Sequence, residues 1–73
     1  MTKSQASDLK AVGTNVRRLR FEAGLTQARF AERLEVELRT AQKWEAGEIN
    51  PPLTTLIRVR RAFRCSWEDL LGA

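Results

Sequence analysis

Apolar residues recur along this chain at three- and four-residue spacings, and no stretch alternates strictly between apolar and polar for long. That period belongs to amphipathic helices rather than strands. Five short helices fit it. The polar residues 1–7 read as a mobile tail, after which Ser7 or Asp8 caps a first helix with Leu9, Val12, Val16, Leu19 and Ala23 on its inward face. Gly24 ends that helix. Thr26 caps a second, TQARFAERL, in which Phe30, Ala31 and Leu34 fall on one side and Leu25 packs just ahead of the cap. Glu35 and Val36 turn the chain into a third helix over about residues 37–46, stopped by Gly47. The segment EINPP is a loop, and Pro52 suits the first turn of a fourth helix carrying Leu53, Leu56, Ile57, Val59 and Phe63. Ser66 followed by Asp69 has the form of a capping box for a last short helix that returns Trp67, Leu70 and Leu71 to the core. The expected fold is all-α: a compact five-helix domain over residues 8–73, without repeats or low-complexity segments.

With 73 residues the chain makes one small domain with a modest core, a size at which a second subunit often supplies missing stability. Thirteen basic residues against nine acidic ones give a net charge of +4. That suits a polyanionic partner, although the two signs are mixed and form no polybasic tail. Cys65 is the single cysteine and there is no histidine, so neither an internal disulfide nor an ordinary metal-ligand cluster is expected, and no cofactor is called for. The expected compartment is the cytoplasm. No apolar run approaches the roughly 20 residues of a membrane span, and the start MTKSQAS lacks the apolar stretch of a secretory signal. Glu68 and Asp69 are neighbours with no histidine, cysteine pair or serine triad beside them, so an enzyme is not expected.

The third helix carries the chemistry. On a wheel of about 100° per residue, Leu38, Gln42, Ala46, Arg39 and Lys43 gather into one arc of about 140°. Thr40, Ala41 and Trp44 lie opposite and suit packing. The first arc mixes an amide, a guanidinium, an ammonium and aliphatic groups. A guanidinium can bond guanine O6 and N7, an amide can pair with adenine N6 and N7, and an aliphatic side chain can touch a thymine methyl. The same arc also fits a solvated face of an amphipathic helix, and the wheel alone does not separate the two.

Read together, VRRLRFEAGLTQARFAERLEV, TAQKWEAG, NPPLTTL and SWEDLL closely resemble the Xre-like group of helix-turn-helix regulators, the lambda repressor and Cro type. The resemblance covers about residues 12–71. Its most specific pieces are Gly24, Leu25, Thr26 and Gln27, then Phe30, Ala31 and Leu34, then Trp44 and Glu45 ahead of Gly47. It implies a sequence-specific regulator of transcription that binds double-stranded DNA, of repressor type, with the helix-turn-helix over about residues 26–46. The third helix would be the recognition helix. Leu38, Arg39 and Lys43 match positions that read base edges, Gln42 stands beside them, and Arg39 is the first choice for specificity. Thr26 and Gln27 match residues that grip the phosphate backbone, where a helix N-terminus favours anions, and Asn50 is a further phosphate candidate. Arg20 and Glu45 match an ion pair that ties the first helix to the end of the third, a structural role. The partners implied are double-stranded DNA and a second copy of the chain, the homodimer placing two recognition helices in successive major grooves of a pseudo-palindromic operator.

The chain departs from that pattern in charge. Glu35 stands where the family usually has glycine and the backbone commonly turns left-handed, at a cost on the order of 1 kcal/mol. Glu37 replaces the usual serine or threonine cap, and Glu48 a frequent basic residue. All three would dilute phosphate attraction along the DNA-facing edge, although Glu37 could instead accept from cytosine N4. In the fourth helix Arg60 falls inside the apolar arc, so it must snorkel, pair with Glu32, Glu68 or Asp69, or lie at a subunit contact. Arg64 replaces the glycine that ends this helix and joins Arg58, Arg60 and Arg61 in a basic patch, either solvated or a second surface for nucleic acid or an acidic partner. Cys65 matches an apolar position and reads as a core thiol rather than a redox switch. The acids at the turn and Arg60 also fit a second class of function: a protein-interaction module, either an antitoxin whose partner is a toxin or an adaptor that keeps the fold.

Overall fold

The computed structural model describes residues 1–72; Ala73, the last residue of the expected domain, lies outside the described residues. Five α-helices follow one another, α1 Lys3–Glu22, α2 Gln27–Leu34, α3 Leu38–Ala46, α4 Leu53–Phe63 and α5 Trp67–Leu71. No strand occurs among the described residues, and no helix there is long and apolar enough to cross a membrane.

The first helix starts at Lys3, not at Ser7 or Asp8, so most of the segment read as a tail is helical. A capping box explains the difference. The Thr2 hydroxyl accepts from the Gln5 amide at 3.1 Å, and the Gln5 side chain accepts from the Thr2 amide at 2.8 Å, satisfying two amides that a helix start otherwise leaves open. Its inward face is Gly13, Val16 and Arg20, flanked by half-buried Leu9, Val12 and Leu19; Ala23 is the C-cap and is exposed. Gly13 sets how closely α1 and α3 approach. A Cβ there would lie 2.4 Å from the Trp44 carbonyl oxygen and 2.7 Å from that of Glu45, and neither backbone atom can step aside.

Thr26 caps α2 by accepting from the Arg29 amide at 3.1 Å. Glu35 then takes the left-handed conformation, φ 58°, with the Val36 amide bonded back to the Ala31 carbonyl and the Glu35 amide to that of Glu32. This is the Schellman ending that glycine usually serves. Arg64 ends α4 in the same left-handed way, φ 50°. Pro52 is the residue ahead of α4 rather than a member of its first turn: its ψ of 149° is extended, and its carbonyl accepts from Thr55 and Leu56. Ser66 and Asp69 form a full capping box for α5.

The core joins Val16, Phe30, Ala31, Leu34, Ala41, Trp44, Val59, Cys65 and Leu70. Phe30 stacks on Phe63 with ring centroids 5.6 Å apart. On α4 the buried side is Thr55 and Val59, so the far edge of its apolar arc faces outward: Leu53 is 66% exposed, and Arg60 is exposed with its guanidinium 5.3 Å above the Trp67 ring. Arg60 makes no ion pair with Glu32, Glu68 or Asp69. The Cys65 thiol is buried, and burial raises its pKa, which keeps it protonated and unreactive at neutral pH.

Candidate nucleic-acid interface

Helix α3 is held on one side and open on the other. Ala41 and Trp44 are buried against α1 and α2, while Leu38, Arg39, Gln42 and Ala46 are exposed and Lys43 is half-buried. Leu38, Arg39, Gln42, Lys43 and Ala46 line one shallow depression with Glu48. The base-contact candidates of the sequence therefore share a single surface. Leu38 is 42% exposed, a large aliphatic group presented to solvent beside polar and charged ones.

A second depression adjoins the first along Gln42 and Ala46 and is lined by Thr26, Gln27, Arg17, Arg20 and Glu45. Its floor is a chain of polar contacts. Arg20 donates from Nε to Glu45 Oε2 at 2.7 Å and from Nη2 to Oε1 at 3.0 Å, and its Nη1 donates to the Leu25 carbonyl at 2.8 Å. Both side chains are nearly sealed, 8% and 3% exposed. Gln27 Nε2 donates to Glu45 Oε1 at 3.2 Å, and Gln42 Nε2 to Gln27 Oε1 at 3.4 Å, so the last link is the weakest. The pair thus fixes α1 against α3 and orients Gln27 toward the outer face of α3.

Thr26 uses its hydroxyl oxygen as the α2 cap acceptor, which leaves the hydroxyl proton free to donate outward. The first amides of α2 sit beside it and, with the helix dipole, form a surface suited to an anion. Arg17 was not among the sequence candidates. It stands one turn ahead of Arg20 on α1, and that three-residue spacing was the available signal. The guanidiniums of Arg17 and Arg20 both lie over the Phe21 ring, at 5.3 and 4.6 Å.

Asn50 is not brought to these depressions. It lines a separate, largely apolar one with Met1, Leu9, Pro51, Leu56 and Leu71. Along the α3 edge, Glu35, Glu37 and Glu48 are all exposed, three carboxylates against the two cations Arg39 and Lys43. Glu37 is the N-cap residue of α3, and its side chain makes no capping bond. Its carboxylate is left to act through charge alone, favourably toward the helix dipole and unfavourably toward a phosphate.

Residues 16–70 match the family model described as Helix-turn-helix. A protein of Archaeoglobus fulgidus described as an uncharacterised HTH-type transcriptional regulator is 33% identical over 57 residues, which cover 78% of this chain and 81% of that protein. No solved structure matches the chain.

Proposed function

The chain belongs to the helix-turn-helix family, and from that premise we propose that it is a DNA-binding regulator of transcription that reads a pseudo-palindromic operator as a homodimer and represses by occupying a promoter. The observation that carries this reading is the α3 surface: a guanidinium, an ammonium, an amide and an exposed leucine on one open face of a helix whose other face is clamped into the core. Arg39 is assigned the main base contact, with Leu38, Gln42 and Lys43 beside it. Thr26 and Gln27 hold the phosphate backbone next to them, joined by Arg17, while Asn50, which lines the separate apolar depression, is left out of this contact set. Arg20 and Glu45 serve the interface indirectly by fixing α1, Gln27 and α3 in one geometry.

We assign the dimer contact to the largely apolar depression lined by Met1, Leu9, Val12, Leu56 and Leu71, where Met1 and Leu71 are exposed. Two recognition helices then address half-sites about one turn, roughly 34 Å, apart.

Selection from a random duplex library at about 150 mM salt, a value near physiological ionic strength, tests the reading with wild type and Arg39→Ala in parallel. A two-fold symmetric motif is expected, and Arg39→Ala loses preference at one base pair per half-site, about 1 to 3 kcal/mol. Equal loss at every position refutes the base-reading role of Arg39. A folded wild type that enriches nothing refutes the function, and the three carboxylates around α3 then favour a protein partner, such as the toxin of an antitoxin pair.

A further inference from the structure

The positive charge of this chain is not where its proposed groove-reading helix is. Residues 53–64 carry Arg58, Arg60, Arg61 and Arg64 and no acidic residue, four charges that equal the net charge of the whole chain. The α3 edge, by contrast, has three carboxylates against Arg39 and Lys43. Among the described residues none of these four arginines has a carboxylate within ion-pairing distance, whereas Arg18, Arg20 and Arg29 are each paired, with Glu22, Glu45 and Glu32.

The four are also arranged. Arg58 and Arg61 lie three residues apart on α4, a rise of about 4.5 Å, with Arg60 on the side toward Trp67 and Arg64 following as the C-cap, so the four span one broad face of the helix end. Two are braced by their own neighbours: Arg58 donates to the Leu34 carbonyl at the end of α2, and Arg60 lies over the Trp67 ring. Arg33, from α2, lies over the Phe63 ring and extends the row. Arg64 is kept in the left-handed conformation that glycine would hold without strain. Bracing lowers the entropy lost when a guanidinium grips an anion, and its planar fork suits paired oxygens.

We propose that this α4 arginine row is a second nucleic-acid surface, which binds the phosphate backbone of duplex DNA and carries most of the sequence-independent affinity of the protein. The proposal rests on the DNA-binding reading above and divides it in two, α3 for sequence and α4 for charge. A protein partner fits the surface less well. Protein interfaces are centred on buried aromatic or aliphatic anchors, and the rings in this region, Phe63 and Trp67, are half-buried with guanidiniums over their faces. What the row offers outward is charge in repeat.

The test is fluorescence anisotropy with a labelled random-sequence duplex across a salt series. Arg60→Gln, Arg61→Gln and Arg64→Asn are combined, leaving Arg58 on its α2 carbonyl and placing at position 64 a residue that tolerates the left-handed conformation. The full chain is used, and circular dichroism checks that it stays folded. The plot of log affinity against log salt is expected to become shallower by about 2.7, at ~0.9 per phosphate contact removed. The control, Arg18→Gln with Arg29→Gln, removes two arginines that already have carboxylate partners and is expected to move the slope by less than about 0.9. Equal change per residue in the two variants overturns the proposal, since net charge alone then explains it; so does an unchanged slope in the triple variant. Displacement of the duplex by polyglutamate at lower charge concentration than by unlabelled duplex also overturns it, in favour of an acidic protein. Library selection with the triple variant separates this inference from the function: the wild-type motif is expected at weaker overall binding. Loss of the slope with no motif from either protein leaves the α4 surface standing and removes the α3 reading.

Discussion

The pairing of Arg20 with Glu45 is the contact on which the proposed interface geometry depends most, and its removal has a calculable size. Glu45→Ala leaves a guanidinium that is 8% exposed facing a void, with only the Leu25 carbonyl of its former acceptors. Breaking a buried pair from one side costs about 3 to 5 kcal/mol, because the remaining charge has lost its compensation and cannot reach water. A chain of this length is stable by roughly 4 to 11 kcal/mol in total, at about 0.05 to 0.15 per residue. The variant should therefore lose close to half its stability, and its thermal midpoint should fall by at least about 12 °C, at ~4 °C per kcal/mol. Urea unfolding followed by circular dichroism measures this. The companion experiment replaces both residues with methionine. If the loss in Glu45→Ala comes from a stranded charge, the double variant should be far closer to wild type than the single one, since an apolar pair of similar volume is often neutral or better. Its DNA binding should nevertheless be weaker, because Gln27 loses Glu45 as its acceptor. A single variant within about 1 kcal/mol of wild type, the value of an exposed pair, would refute the argument, and so would a double variant as unstable as the single.

Three further outcomes follow from particular atoms. Gly13→Ala should destabilise by about 2 kcal/mol in urea unfolding, the overpacking of a Cβ against two carbonyl oxygens outweighing the ~1 kcal/mol that alanine gains over glycine in a helix; a stabilised variant would show that α1 and α3 are less tightly apposed. Glu35→Gly should raise stability by roughly 0.5 to 1 kcal/mol, the left-handed strain relieved less the greater unfolded-chain entropy of glycine, and should tighten random-duplex binding by removing a carboxylate from the α3 edge; a lower melting temperature sinks this account of the turn. The Ser66 amide and hydroxyl hold the Asp69 carboxyl below its ordinary value of about 3.8, so its contribution is present above that pH and is lost as pH falls through the lower, folded value. The stability gap between wild type and Asp69→Ala should accordingly close in strong acid, and a gap that persists there refutes the cap as its source.

Much of the architecture was legible because it is written locally. Thr26, Ser66, Gly24 and Gly47 are caps and stops with their own chemistry, and the Phe30, Ala31 and Leu34 stripe needs only helical period to be found. What was missed has physical reasons. Lys3 to Asp8 are almost wholly exposed, so no apolar stripe betrays the first two turns of α1, and only the Thr2 and Gln5 pair could have marked the start. On α4 the apolar arc is wider than the side the domain covers, so a wheel places Arg60 inside an arc whose outer edge is in solvent. Gly13 reads as a weak point in a helix until α3 is seen against it. The spacing of Arg17 from Arg20 marks a shared face of α1, but that this face meets the Thr26 and Gln27 depression follows only from the packing of α1 and α2 on α3, which no local pattern encodes.

The two left-handed residues without glycine connect these observations. Glu35 and Arg64 each hold a conformation that costs a side-chain-bearing residue about 1 to 2 kcal/mol, and each is charged, with opposite sign, one on each of the two proposed surfaces. Strain of that size at two helix ends is a large fraction of a small domain's stability. Charge placement gives both residues a purpose in the proposed division. A carboxylate at the α3 edge weakens attraction to any phosphate backbone, correct site or not, so in the proposed division a larger share of the affinity there comes from base contacts that only the operator supplies. An arginine at the end of α4 restores sequence-independent attraction on a surface that does not compete with base reading. Because biological selectivity depends on the ratio of specific to nonspecific binding, moving charge off the reading helix lets the general attraction be set by the α4 row while discrimination is set by α3. Exchanging the two signs, Glu35→Arg with Arg64→Glu at unchanged net charge, is the decisive perturbation: it should bring nonspecific attraction onto the reading edge and lower the ratio of operator to random-duplex affinity. An unchanged ratio would show that the two surfaces do not divide the work.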